Sequence, residues 1–328
     1  MNRPRYQPAD LSRLRTYSVG RRPHKVSTAA LAGLPEPGTS AADLFASLPD
    51  VLGVREFRAT VDAMAAAIRD GRPVVLAMGA HVVKVGCTPI VVDLIRRGIV
   101  SAVACNGAFA IHDMELATVG ATSEEVADTI RDGSFGMVSE TLDFFTRAAA
   151  RADERQIGFG EAVGGLLVEA NPPGLAHSVL AAAYQASIPA TLHVALGTDT
   201  VHASGVMDGA RIGAASLRDF RLICSVVGDL GAASADGPGG VWLNVGSAVV
   251  MPEVFLKAVS VARNLGANLD AMTTANFDML RHYRPKVNVV TRPVTPGRGH
   301  EVIGHHEILL PLLRAALLER LAGPGAVP

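Results

Sequence analysis

Short apolar runs alternate with segments of helical periodicity along most of this sequence. A short, bounded run of mostly apolar residues is typical of a strand that is buried on both faces of a sheet. We interpret six runs in this way: 73–78, 99–105, 190–195, 241–245, 269–273 and 287–291. Helical segments separate these strands, and right-handed strand–helix–strand units place their strands parallel. The alternation therefore predicts an α/β fold with an open, mostly parallel sheet and helices on both faces.

The first 50 residues have a different character. Prolines and basic residues alternate there, which predicts an irregular N-terminal arm with one short helix at 41–48 and Thr39-Ser40 as its N-cap candidates. From 51 to 328 no long polar linker interrupts the chain, so we expect a single α/β domain. Its predicted helices span 54–70, 88–97, 111–119, 175–186, 217–230, 252–265 and 308–321, and one more begins near 123.

Composition narrows the class of protein. Hydrophobic residues make up 49% of the 328 residues and charged residues 19%, so the chain can bury a large core. The formal net charge of -1 leaves no basic excess to neutralise a phosphate backbone, which argues against nucleic acid as a partner. No apolar segment follows Met1, and none is long enough for a membrane span. Three widely spaced cysteines fit reduced thiols, so we expect a cytoplasmic protein. With nucleic acid and membrane argued against, we expect a small-molecule ligand.

The loops after the predicted strands are where a ligand site is expected. Ligands of parallel sheets bind outside the carboxyl ends of the strands, where helix N-termini offer free N–H groups. Each loop pairs small residues with polar ones: Gly79-Ala80-His81, Asn106-Gly107-Ala108, Gly197-Thr198-Asp199, Gly246-Ser247-Ala248 and Thr273-Thr274-Ala275-Asn276. Any one of them could be an ordinary turn with a helix cap. Five at successive strand ends favour a ligand site, although neither a GxGxxG nor a GxxxxGKS/T phosphate loop is present.

Two further patterns suggest acid–base or covalent chemistry. His112 and Glu115 are three residues apart near a helix start, so they share a face and the carboxylate can tune the imidazole for proton transfer. A solvated first turn explains this pair equally well. Lys286 opens a predicted strand near Arg281 and Arg284, and a lysine made nucleophilic by burial or neighbouring cations can form an imine. A solvated lysine at a strand start is the simpler interpretation.

The densest group of potential metal ligands lies near the C-terminus and consists of His300, His305, His306 and Glu307. Adjacent histidines point in different directions on any regular element, and no HxxxH or HExxH spacing occurs. We therefore assign no metal, and interpret 304–307 as a strand-end turn and helix start that line the same pocket.

The order and spacing of these loops resemble the deoxyhypusine synthase family, and more closely its bacterial relatives, from about residue 73 to about 313. Four stretches carry the resemblance: Gly79 to Pro89, Asn106 to Glu115, Leu196-Gly197-Thr198-Asp199, and Asn276-Phe277-Asp278 before Pro285-Lys286. The resemblance implies a Rossmann-like fold, bound NAD, and a homotetramer with sites at subunit interfaces. It also implies oxidation of a polyamine and transfer of an aminobutyl group through an imine on a lysine.

Site residues follow from the resemblance together with the loops above. The catalytic candidates are Lys286 at the imine position, His112, Glu115 and Asp199. The cofactor-binding candidates are Gly79, His81, Asn106, Gly107, Ala108, Gly246, Ser247, Thr273, Thr274, Asp278 and His305. The chain departs from the family near Gly246, because 249–253 reads VVMPE and lacks the family's histidine.

Three functions agree with these patterns. The first is an NAD-dependent transferase or oxidoreductase that acts on an amine, such as a polyamine, or on another small substrate. The second is a hydrolase or lyase that acts on a nucleoside, sugar or small acid with Asp199 and a histidine, with or without a metal. The third is a non-catalytic relative that only binds its ligand.

Overall fold

Six parallel strands form the centre of the molecule, which a computed structural model describes over residues 6–234 and 237–323. The strands are β1 (Val74–Met78), β2 (Ala102–Asn106), β3 (Ala190–His193), β4 (Val241–Val245), β5 (Thr273–Asp278) and β6 (Gly299–Ile303). Their spatial order is β3-β2-β1-β4-β5-β6, and every neighbouring pair is parallel. This order is that of the doubly wound Rossmann fold. The predicted fold class, a Rossmann-like parallel sheet, is confirmed.

Helices cover both faces of the sheet. They are α1 (Ala41–Ser47), α2 (Leu52–Arg69), α3 (His81–Lys84), α4 (Thr88–Arg96), α5 (Gly107–Val119), α6 (Val126–Asp132), α7 (Ser139–Arg155), α8 (Phe159–Ala170), α9 (Val179–Gln185), α10 (Gly209–Gly228), α11 (Val250–Asn264), α12 (Tyr283–Pro285) and α13 (His306–Ala322). A wider helical segment, Lys286–Thr291, continues directly from α12. Among the residues described, no helix is both long enough and apolar enough to cross a bilayer.

The last third of the sheet differs from the sequence prediction. The strand predicted at 269–273 overlaps β5 only at Thr273, and residues 287–291 are helical rather than extended. β6, which is rich in polar residues, is absent from the prediction. The hydroxyl of Thr274 donates to the carbonyl oxygen of Val289 at 2.7 Å, so the helical segment packs directly on β5. Contacts of this kind override the weak strand preference of a β-branched run.

Side chains of the strands alternate between two apolar cores on opposite faces. Leu76 and Met78 of β1 belong to the larger core, whereas Val75 and Ala77 belong to the smaller one. Because both faces are covered, strands such as β1 and β4 are buried along their whole length. Polar chemistry is therefore concentrated at the strand ends.

A buried aspartate closes the outer edge of β3. Asp219 of α10 accepts hydrogen bonds from the N–H groups of Leu192 on β3 at 2.8 Å and of Gly160 in α8 at 3.0 Å. Ser216 of α10 accepts the N–H of Val194 and donates to the carbonyl oxygen of Leu192. Burial raises the pKa of Asp219 to about 7, although these N–H groups act to lower it.

A second buried aspartate anchors the start of α9. Asp113 of α5 accepts hydrogen bonds from the Ser178 hydroxyl at 2.6 Å and from the N–H groups of Val179 and Leu180 at 2.8 and 3.2 Å. Burial raises the pKa of Asp113 to about 6 against the opposing effect of these donors. Asp113 therefore joins α5 to α9 and points away from the solvent.

Candidate active site

The carboxyl ends of the strands gather the predicted polar loops along one edge of the sheet. The winding direction reverses between the neighbouring strands β1 and β4. At such a reversal the two loops leave in opposite directions, and a crevice forms where ligands of this architecture bind. We call this region the switch crevice, formed by Gly79, His81, Gly246, Ser247, Asp278 and His306.

The two loops of the switch crevice are in close contact. A Cβ atom at Gly79 would lie 2.1 Å from the carbonyl oxygen of Gly246. Gly246 has a φ of +62°, and a Cβ atom there would lie 2.9 Å from the His306 ring. Close backbone approach thus accounts for both glycines by packing alone. Ser247 is also buried, and its hydroxyl accepts the N–H of Met251 in the first turn of α11.

Two histidines meet in the crevice with a defined hydrogen-bond direction. The Nε2 atom of the fully buried His306 lies 3.1 Å from the carbonyl oxygen of Phe277, so it must donate. In a neutral ring the Nδ1 atom of His306 is then an acceptor, and His81 Nδ1 donates to it at 2.9 Å. Burial lowers the pKa of His81, and His306 lowers it further. The crevice therefore presents a neutral His81 whose Nε2 atom is an acceptor.

Several buried polar atoms in the carboxyl-terminal halves of β4 and β5 have no hydrogen-bond partner within the described residues. One oxygen of Asp278 accepts the N–H of Met279 at 2.8 Å, but its Oδ2 atom has no partner. The amides of Asn244 and Asn276 are joined at 2.7 Å, which leaves one polar atom on each without a partner. Unsatisfied buried polar groups are costly and often mark a binding site. Asp278 is the strongest candidate because it lies at the strand end.

A cavity of about 680 Å³ lies at the ends of β2 and β3. We call it the α5 cavity. Its polar lining consists of Lys84, His112, Glu115, Thr118, Thr122, Ser123, Glu124, Glu140, Thr141, Thr198, Asp199 and Thr200. Lys84 belongs to α3, which begins at His81, so the cavity adjoins the switch crevice. The volume suits a small molecule, and four carboxylates against one lysine favour a cationic one.

His112 is the end of a hydrogen-bond chain inside this cavity. The hydroxyl of Thr122 lies 2.7 Å from Glu115 Oε2 and 2.7 Å from His112 Nδ1. A carboxylate only accepts, so Thr122 donates to Glu115 and accepts from the Nδ1–H of His112. Thr141 also donates to Glu115, at 3.1 Å. The Nε2 atom of His112 is thereby left to exchange a proton with a ligand.

The same contacts set the charge of Glu115. Burial acts to raise the pKa of Glu115, but interactions with His112, Thr122 and Thr141 together outweigh it, so the pKa lies below its usual value. Glu115 is therefore a carboxylate near neutral pH. Its Oε2 atom lies 3.7 Å from His112 Nδ1, close enough to stabilise a protonated imidazole.

Asp199 completes the cavity beside the start of α5. A Cβ atom at Gly107 would lie 2.0 Å from Asp199 Oδ2, so only glycine allows the carboxylate to sit there. Asn106 caps α5 by accepting the Phe109 N–H at 3.0 Å, which explains why the helix begins at Gly107. Burial raises the pKa of Asp199, and nearby His202 and His112 partly oppose this effect. Asp199 is thus a half-buried acid that faces His112.

The structure brings most predicted site residues into two adjoining groups. His112, Glu115, Asp199 and Ala108 line the α5 cavity, and Asn106 and Gly107 support it. Gly79, His81, Gly246, Ser247 and Asp278 form the switch crevice. Sequence analysis missed the roles of Thr122 and Thr141, because nothing in the local pattern of either threonine marks it as a partner of Glu115.

Four predicted site residues lie elsewhere or in another setting. Thr273 and Thr274 begin β5, so they lie at the amino end of that strand rather than in a loop after it. Lys286 is exposed, begins a helical segment rather than a strand, and has no hydrogen-bonded side chain or ion pair within the described residues. His305 is exposed and lies 3.6 Å from Glu307.

The histidines near the C-terminus do not converge. His300 lies 2.8 Å from Glu56, whereas both ring nitrogens of His306 have protein partners. In the described part of the chain, no three His, Cys, Asp or Glu side chains are grouped so that they could hold a metal ion. Within 304–307, a turn at 304–305 follows β6 and the helix begins at His306, as predicted.

Comparison with known proteins gives a fold and no family. No protein-family model matches the sequence, and no curated protein matches it significantly. A putative deoxyhypusine synthase from Entamoeba histolytica shares the fold with a TM-score of 0.52 and 12% identity, covering 86% of this chain and 94% of that one. The resemblance to deoxyhypusine synthases is therefore supported at the level of the fold.

Parts of two larger proteins share the same fold. An arginine dihydrolase from the ornithine-ammonia cycle in cyanobacteria has a TM-score of 0.50 and 16% identity, covering 85% of this chain and 33% of that one. AgrE, solved in a ternary complex with ornithine and NAD⁺, has a TM-score of 0.50 and 16% identity. The match covers 83% of this chain and 34% of the AgrE chain. The chain thus spans about one third of the length of these two proteins.

Proposed function

We propose that this chain is an NAD(H)-dependent enzyme that oxidises, or transfers a group from, a small amine. The observation that carries the proposal is the series of hydrogen bonds from Glu115 through Thr122 to His112. These residues lie in an acidic cavity at the carboxyl edge of a doubly wound sheet. The similar fold in AgrE, which was solved with NAD⁺ and ornithine, supports both the cofactor and an amine ligand.

The switch crevice fits one part of a dinucleotide. In doubly wound folds a carboxylate at the strand ends commonly binds a ribose hydroxyl. The Oδ2 atom of Asp278 is buried without a partner within the described residues, so a ribose hydroxyl would satisfy it. His81, which is neutral with an accepting Nε2 atom, would lie beside the same ligand. When bound, NAD⁺ would supply a hydride acceptor.

The α5 cavity fits the amine. Glu115 and Asp199 would attract an ammonium group, and Glu124 and Glu140 extend the negative lining. An amine must lose a proton before its neighbouring carbon can be oxidised. The Nε2 atom of His112 can accept this proton, while Thr122 and Glu115 hold the ring in the required tautomer. The carboxylate of Glu115 then stabilises the imidazolium.

Binding and turnover test this proposal separately. NAD⁺ and NADH are titrated calorimetrically into freshly purified protein, and mass spectrometry of gently denatured protein identifies any retained dinucleotide. A panel of diamines, polyamines and basic amino acids is then screened for NADH formation. We expect binding near one NAD(H) per chain, and turnover that His112→Gln abolishes while His177→Gln, outside the α5 cavity, preserves it. Absence of NAD(H) binding would refute the proposal.

A hydrolase or lyase is a second candidate, favoured by one observation. Asp199 and His112 share the α5 cavity, and the raised pKa of Asp199 suits a proton donor opposite an imidazole acceptor. This candidate requires turnover of a small substrate without NAD. Loss of that turnover in both Asp199→Asn and His112→Gln, with no dinucleotide bound, would establish it over the first.

A further inference from the structure

An N-terminal segment of the chain has very few contacts with the rest of the described residues. We call residues 10–29 the arm segment. Every one of them is exposed, and within the described residues their hydrogen bonds stay inside the segment or its immediate neighbours. The first buried residue of the described chain is Ala30, directly after the segment, and its carbonyl oxygen accepts the N–H of Asp50 at 3.1 Å.

The arm segment is both apolar and basic. Leu11, Leu14, Tyr17 and Val19 are 65–67% exposed, which is unusual for large apolar side chains so close together. The segment also contains five cations and one carboxylate: Arg13, Arg15, Arg21, Arg22, Lys25 and Asp10. A net charge of +4 thus accompanies the apolar residues, whereas the rest of the chain has a formal charge of -5.

A second uncovered surface has the opposite charge. We call residues 119–143, from the end of α5 to the first turn of α7, the rim surface. It contains six carboxylates and one arginine: Glu124, Glu125, Asp128, Asp132, Glu140, Asp143 and Arg131. Large apolar side chains are exposed among them, including Val119 at 72%, Ile130 at 59% and Met137 at 51%.

We propose that the arm segment of one copy of this chain docks on the rim surface of a second copy. Each surface exposes apolar side chains that would gain from burial, and their charges are opposite, so contact would pair cations with carboxylates. A single chain leaves both surfaces uncovered. Reciprocal exchange of two arms over two rims would give a closed, two-fold assembly without further growth. This inference does not rest on the proposed enzymatic function, although the rim surface shares Glu124 and Glu140 with the α5 cavity.

Charge reversal on each side tests the proposal in the full-length chain. The arm variant is Arg21→Glu with Arg22→Glu, and the rim variant is Asp128→Lys with Asp132→Lys. Neither Asp128 nor Asp132 lines the α5 cavity. Controls of equal charge change use the exposed residues Arg96→Glu with Arg221→Glu, and Glu154→Lys with Asp270→Lys. Sedimentation velocity over a range of concentrations and salt gives the dissociation constant for self-association.

We expect salt-sensitive self-association that each of the two variants weakens by about tenfold or more, because attractive pairs become repulsive. An equimolar mixture of the two variants should associate more tightly than either alone, since the reversed arm then meets a reversed rim. Association that neither variant weakens overturns the proposal. So does a monomer at all concentrations, or a mixture that associates no better than its components. Loss of heparin binding in the arm variant, without loss of association, would instead assign the arm to a polyanion and equally overturn it.

Discussion

Replacement of Asp219 by asparagine should make the protein less sensitive to pH. The carboxylate is buried between α8, β3 and α10, where one of its oxygens accepts two N–H groups and the other has no partner within the described residues. An asparagine carbonyl oxygen can accept the same two N–H groups. Its amide would occupy the position of the unpartnered oxygen, so the fold should tolerate the change.

The magnitude follows from the pKa of this group. Burial raises the pKa of Asp219 from 3.8 to about 7, which means that the folded state favours the protonated form. Between these two values the folded state binds more protons than the unfolded state, so stability falls as pH rises through this window. The rise in pKa from 3.8 to about 7 corresponds to a loss of about 4 kcal/mol in the unfolding free energy as the pH rises from 3.8 to 7. At pH 8 the wild type contains a buried, charged carboxylate, whereas the asparagine variant does not.

Urea unfolding of wild type and Asp219→Asn at intervals from pH 5 to pH 8 measures this effect. We expect the unfolding free energy of the variant, relative to wild type, to rise by about 2–3 kcal/mol between pH 5 and pH 8, the part of the window that the assay covers. Other titrating groups, including Asp113, cancel in this difference. Asp270→Asn, at an exposed position, is the matched control and should give no trend. Parallel curves for Asp219→Asn and wild type would refute the reasoning, because they would show that Asp219 does not titrate in this range.

Three further substitutions test particular contacts. Thr122→Val removes the link between His112 and its carboxylate, so turnover should fall roughly 10- to 100-fold; unchanged kcat would contradict the proton route. Gly107→Ala places a Cβ atom 2.0 Å from Asp199 Oδ2, so urea unfolding should show a loss of about 1–3 kcal/mol, and an unchanged stability would contradict the contact. Lys286→Ala should change stability by less than about 0.5 kcal/mol because the side chain is exposed. Borohydride trapping of a substrate on wild type, but not on this variant, would support the imine, and trapping on both would refute it.

The parts of the fold that sequence predicts best are those with one dominant signal. β1 and β4 are apolar, buried on both faces and bounded by turns, so their predicted limits agree with the structure within a residue. β5 lacks this signal, because Thr274 and Asn276 are buried polar residues whose partners come from Val289 and Asn244. Such partners are distant in sequence, and local pattern cannot supply them.

In the candidate site, too, local sequence predicts some contacts and cannot predict those made by residues distant in the chain. The spacing of His112 and Glu115 predicts a shared helical face, and the two side chains do meet in one cavity. The bridging hydroxyl of Thr122 comes from the loop after α5, and Asp199 comes from a loop after another strand. Chain order predicts that such loops converge at one sheet edge, but not which hydroxyl lies between two side chains.

The hydrogen bonds from α10 to β3 also restrict how this molecule can associate. An edge strand with free N–H and carbonyl groups can recruit a strand from another molecule and begin aggregation. On β3 the groups at Leu192 and Val194 are already bonded to Asp219 and Ser216, so this edge offers little to a foreign strand. Contacts between copies must then form on surfaces other than this edge. The same arrangement protects the sheet during synthesis, once α10 has packed against it.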